Sequence, residues 1–131
     1  MQALDTNLLV RLFVGDDAAQ AAKVCKLLDS HASEDAAFWV SDTVLVALAW
    51  TLERSYARPR ADVVRCIDAL LNNTTLGLES PAAVAEALAL YTIGPADFAD
   101  CLLASKAARA GCDSLRSFDK KMRGLPGVVL L

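Results

Sequence analysis

Five short apolar or β-branched stretches alternate with helical patterns along this chain, and no tight-hairpin signal joins any two of them. Strands separated by helices return to their sheet by crossover connections and run parallel. The expectation is an α/β sandwich on a mainly parallel five-stranded sheet flanked by helices. At 131 residues the chain is read as a single domain, 1–131, with one core. In such sheets ligands gather beyond the carboxyl ends of the strands.

The order of elements follows from local signals. "QALDT" is a short strand ending at Asp5 and Thr6, and "NLLVRLFVG" a short helix. Asp16 and Asp17 then cap a second helix, in which Ala18, Ala21, Ala22, Cys25 and Leu28 recur at helical spacing. "AFWVS" is the second strand, and Asp42 is expected to cap the helix "TVLVALAWTLERSY". Pro59 suits the first turn of "PRADVVRCIDALLNN". After the weak strand "TTLGLE" comes the helix "SPAAVAEALALYT", and Gly94-Pro95 breaks the chain. A helix from Asp97 runs to Ala110 and is closed by Gly111, with "DSLRSF" and "GVVLL" as the last strands.

Composition narrows the function classes. Hydrophobic residues make up 55% and charged ones 22%, as in a globular chain. The longest apolar run, "VLVALAW", is far below the roughly 20 residues that span a bilayer. The start "MQALDTN" has no basic segment and carries an aspartate where a signal peptide is apolar, so a cytoplasmic location is expected. Four cysteines without C-x-x-C spacing and the single His31 argue against a zinc or haem site. The cysteines are expected to be buried free thiols, and Phe98, Phe118 and Trp50 to be core. Net charge is −3, yet six of the 13 lysines and arginines fall in residues 106–123, and Arg54, Arg58, Arg60 and Arg65 form a second group. Such clusters steer polyanions, or are simply solvated surface.

Four aspartates call for explanation. Asp5 ends the first strand, Asp119 follows the fourth, and Asp97 and Asp100 open the helix between them. Each has a local alternative: Asp5 and Asp97 as helix caps, Asp119 as a turn residue. Asp100 is hardest to dismiss, since it lies in the first helical turn among Phe98, Cys101 and Leu102. Carboxylates gathered at one sheet edge repel one another unless a cation compensates. Hard oxygen donors of this kind suit Mg²⁺ or Mn²⁺, and the fitting chemistry is metal-assisted attack of water on a phosphodiester.

The segments "LDTNLLVRLFVGDD", "GPADFADCLLASKAARAGC" and "SFDKKMRGLPGVVLL" together resemble a PIN domain, and more narrowly a VapC-type toxin of a prokaryotic toxin–antitoxin pair. The resemblance implies a three-layer PIN sandwich and a metal-dependent endoribonuclease. Asp5, Asp100 and Asp119 would belong to the acidic cluster holding Mg²⁺ or Mn²⁺, with Asp97 touching a metal or its water. Thr6 and Asn7 would orient Asp5, and Ser117 would stand where the family often has Thr or Ser. The resemblance also implies a cognate VapB-like antitoxin, an RNA substrate and a homodimer, with no membrane partner. Arg116, Lys120, Lys121 and Arg123 are candidates for RNA contacts.

One position departs from the pattern. The family carries a glutamate in a segment like "VLVELAW", and this chain reads "VLVALAW", with Ala47 there. Asp42 and Glu53 lie five and six residues away and are not evident substitutes. Ala47 admits three readings: a relative without turnover, one that works with aspartates alone, or a deliberate substitution in a toxic protein. A catalytically silent module that binds antitoxin or RNA is accordingly the competing function. A response-regulator-like phosphoacceptor fits poorly, because only Asp5 stands at the end of the first strand.

Overall fold

A computed structural model describes residues 1–131, which divide into two compact units, Met1–Ser80 and Pro81–Leu131. The first unit contains strands β1 (Gln2–Ala3), β2 (Phe38–Val40) and β3 (Leu76–Leu78). Its helices are α1 (Thr6–Phe13), α2 (Ala18–Asp29), α3 (Asp42–Arg54) and α4 (Arg60–Leu71). The strands form a parallel sheet in the order β1-β2-β3, with Gln2 opposite Phe38 and Phe38 opposite Leu76. Phe38 and Val40, on one face of the central strand, are fully buried, while Trp39 on the other face is exposed. α3 contributes Leu45, Leu48, Ala49 and Leu52 to the core, and α4 contributes Val63, Ile67 and Leu70, both at helical spacing.

The second unit contains α5 (Pro81–Ile93), α6 (Phe98–Arg109), β4 (Leu115–Ser117), a 3₁₀ turn (Lys120–Met122) and β5 (Val128–Leu130). α5 and α6 pack together, with Tyr91 edge-on to Phe98 at 5.9 Å between ring centres. On their rim Glu86 accepts from the Ser105 hydroxyl at 2.5 Å and pairs with Arg109. Those two partners hold the Glu86 carboxyl below its ordinary pKa. Gly111, at φ 87°, turns α6 off in the left-handed conformation that glycine adopts without strain. β4 and β5 pair in parallel, Leu115 opposite Val128 and Ser117 opposite Leu130.

All five expected strands are present and parallel, as are all six expected helices. The strands are distributed over two sheets, of three and two strands, and each is only two or three residues long. Other expectations need correction. Ser41, not Asp42, caps α3: its hydroxyl accepts the Val44 N–H at 3.1 Å. Asp42 is buried, accepting from the Ser80 hydroxyl at 2.8 Å while its own N–H donates to Glu79 at 3.0 Å. All four cysteines are free, but only Cys101 is buried; Cys66 is half-buried and Cys25 and Cys112 are exposed. His31 lies edge-on to Phe38 and 3.0 Å from Glu34. Phe98 is core, whereas Trp50 is 60% and Phe118 80% exposed. No helix is long and apolar enough to cross a membrane.

Candidate functional site

The break at Gly94-Pro95 lets the chain enter α6 with an extended residue, Asp97, at the N-cap. Its backbone carbonyl accepts the N–H groups of Asp100 and Cys101 at 3.1 and 3.0 Å. Its side chain makes no capping hydrogen bond. An aspartate at this position ordinarily satisfies one of the free amides of the first turn. Here the helix is started by backbone alone, without a side-chain cap from Asp97.

Asp100 lies one turn further on, half-buried between Ala99 and Cys101. Burial pushes its carboxyl up from its ordinary pKa, and the charges of Asp119 and Asp97 push it the same way. The three aspartates thus share one field. In the resting chain that field disfavours ionised Asp100, and a cation would relieve it.

Asp119 is held by the turn that follows β4. Its N–H donates to the Ser117 hydroxyl at 2.9 Å, and its carboxylate accepts the Lys121 N–H at 2.9 Å. Ser117 is the last residue of β4, and its carbonyl accepts the Leu131 N–H at 2.9 Å, so the β4–β5 ladder anchors the turn. Asp119 therefore stands just past the carboxyl end of β4, whereas Asp97 and Asp100 open the helix that follows α5.

Asp5 belongs to the first unit, two residues beyond β1, and is the N-cap of α1. Its carboxylate accepts the backbone N–H of Thr6 at 2.7 Å. Thr6 thus orients Asp5 through its main chain, whereas Asn7 lines a shallow groove with Leu8, Arg11 and Gln20. Ala47 sits half-buried in the middle of α3. Asp42, at the start of the same helix, accepts from the Ser80 hydroxyl through one carboxylate oxygen.

Arg116, Lys120, Lys121 and Arg123 are all exposed around Asp119 in the chain. Lys121 also lines a groove of about 230 Å³ with Leu90, Gly94, Pro95, Ala96 and Leu125. Phe118, expected to be core, is exposed instead. The signal was available in the alternation of "LRSF": Leu115 and Ser117 are half-buried, while Arg116 and Phe118 are exposed.

No three His, Cys, Asp or Glu side chains are drawn together tightly enough to cage a metal ion. The donor chemistry nonetheless fits a hard cation. Mg²⁺ keeps most of its waters and takes only one or two carboxylates directly, so a dispersed set of aspartates with an unused carboxylate at Asp97 suits it better than a closed cage.

The PIN domain family matches residues 3–128. A VapC ribonuclease from Aquifex aeolicus (strain VF5) is 25% identical over 125 residues, which cover 95% of this chain and 92% of that relative. With the match extending over both units and all the acids above, the chain belongs to the PIN domain family.

Proposed function

We propose that this protein is the toxin of a toxin–antitoxin pair, a metal-dependent endoribonuclease working as one functional domain over residues 1–131. Asp5, Asp97, Asp100 and Asp119 would hold Mg²⁺ or Mn²⁺. The observation that carries the reading is the pair at the start of α6: a cap-position Asp97 that does not cap, beside an Asp100 whose charge is opposed by burial and by two neighbouring acids. A helix start has no need of that arrangement. The similarity to a VapC ribonuclease supports RNA as the substrate and a VapB-like antitoxin as the partner.

When bound, the ion would lower the pKa of attacking water and offset charge on the phosphoryl oxygens. The chain's own residues supply the rest. Ser117 and the Lys121 amide fix the Asp119 carboxylate, and the Thr6 amide fixes Asp5. Fixed carboxylates need no reorganisation as charge moves, which is the main source of electrostatic catalysis. Arg116, Lys120, Lys121 and Arg123 attract the phosphate backbone. The protein acts in the cytoplasm as a homodimer, with the exposed Trp50 on α3 available for protein contacts.

Ala47 favours a second reading, a PIN domain that binds antitoxin or RNA without turnover. The two separate in one experiment: RNA cleavage with Mn²⁺ by the purified chain and by its Ala47→Glu variant, each free of antitoxin. Cleavage by the variant alone makes Ala47 a disabling residue at a catalytic position. Cleavage by both means the aspartates suffice. No cleavage by either supports the silent module.

A further inference from the structure

We propose that Phe118 is a nucleobase platform, stacking on a base of single-stranded RNA next to the acids; this rests on the nuclease reading above. The ring is 80% exposed, although an aromatic of this size is ordinarily among the first groups a chain buries. It is not exposed by looseness. Ser117 before it is locked twice, by the Leu131 N–H on its carbonyl and by the Asp119 N–H on its hydroxyl. Asp119 after it is locked by the Lys121 N–H. The backbone on both sides of Phe118 is therefore fixed, and the ring is presented to solvent from a rigid turn.

Its surroundings select the ligand. Arg116 shares its outward face at strand spacing, and Lys120, Lys121 and Arg123 follow within five residues, all exposed. An anchor for a protein partner is typically ringed by groups that exclude water. Within five residues in the sequence Phe118 has four exposed cations, with Asp119 the adjacent carboxylate. A flat π-face among phosphate-binding cations is the pattern by which proteins hold single strands, since every base has a face to stack. The position also gives the ring a role in the reaction. A base stacked on Phe118 holds its nucleotide beside Asp119, so the ring positions the strand that is cut.

The test is fluorescence anisotropy with a labelled single-stranded oligoribonucleotide, without divalent cations, using the full chain. Phe118→Ala is expected to weaken binding roughly tenfold, and Phe118→Trp to retain it. The salt dependence of binding should be unchanged in Phe118→Ala, because no phosphate contact is lost, whereas Lys120→Ala should reduce the slope by about one. Replacing one nucleotide at a time by an abasic site should find a position whose loss matches that of Phe118→Ala and does not add to it. Circular dichroism spectra matching the unsubstituted chain exclude misfolding. Equal affinity of Phe118→Ala and the unsubstituted chain overturns the platform while leaving the nuclease intact. An unsubstituted chain that binds no RNA overturns the platform and the RNA reading together. Loss of binding to the antitoxin but not to RNA in Phe118→Ala overturns it in favour of a protein contact.

Discussion

The two units use aspartate at helix starts in opposite ways. In the first, Asp17 caps α2 by accepting the Gln20 N–H at 3.0 Å, and Asp16 pairs with Arg11 at 3.0 Å and accepts from Tyr56 at 2.8 Å. Asp42 ties the start of α3 to Ser80. Each acid there has a local or tertiary partner that accounts for it. In the second unit Asp97 occupies the cap position without capping, and Asp100 meets two like charges. A carboxylate with a structural partner stabilises the fold; one held without such a partner, beside others, is available to a ligand. Asp5 stands between the two cases, capping α1 through the Thr6 amide two residues beyond β1.

This contrast can be broken most severely by activity. In an Ala47→Glu background that cleaves RNA, Asp119→Asn should reduce cleavage more than about 100-fold. That exceeds the 10–100-fold expected when only an outer partner such as Ser117 is lost, as in Ser117→Ala. Equal effects of the two would make Asp119 a positioning residue. A sharper pair compares the two cap-position acids. Asp97→Ala should abolish most cleavage yet change stability by less than about 0.5 kcal/mol. Asp17→Ala should lower stability by about 1 kcal/mol and leave cleavage intact. Urea denaturation and a cleavage assay on the same preparations decide it, and a reversed pattern removes the distinction between the units.

A smaller effect concerns pH. Ionised Asp100 opposes folding because its folded pKa lies above its unfolded value. That penalty is present at neutral pH and fades as pH falls through the carboxylate range, where both states are protonated. Asp100→Asn should therefore raise the melting temperature slightly at pH 7. The gain should vanish in acid, and a gain that persists there points to packing instead. Smallest of all is the Glu86 pair. Its lowered pKa means its contribution is present at neutral pH and lost on acidification, so Glu86→Gln should lower the melting temperature slightly at pH 7 and not at all in strong acid.

Much of this was legible in the sequence because it is written locally. The alternation of short strands with amphipathic helices, the stop at Gly111 and the start at Asp97 each depend on a few neighbouring residues. What was not legible depends on distant partners. Asp42 looked like a cap because its partners, Ser80 and Glu79, lie 38 and 37 residues away. Ser41 does the capping that local chemistry offers equally to either residue. Trp50 was read as core because side-chain type says nothing of which way a helix faces. For Asp97, residue type predicted the cap bond, and only geometry showed that the bond is not made. The site's acids were named from motif resemblance and strand ends; what the fold adds is which carboxylates have other partners.

The most direct test is Mn²⁺ binding by titration calorimetry on the antitoxin-free chain, its Asp100→Asn variant and its Asp17→Asn variant. Saturable binding by the unsubstituted chain and by Asp17→Asn, lost in Asp100→Asn, is the expected result, with the bound forms melting higher in proportion to affinity. Binding that survives in Asp100→Asn, or that disappears in Asp17→Asn, contradicts a cation site built on the second unit's unpartnered acids.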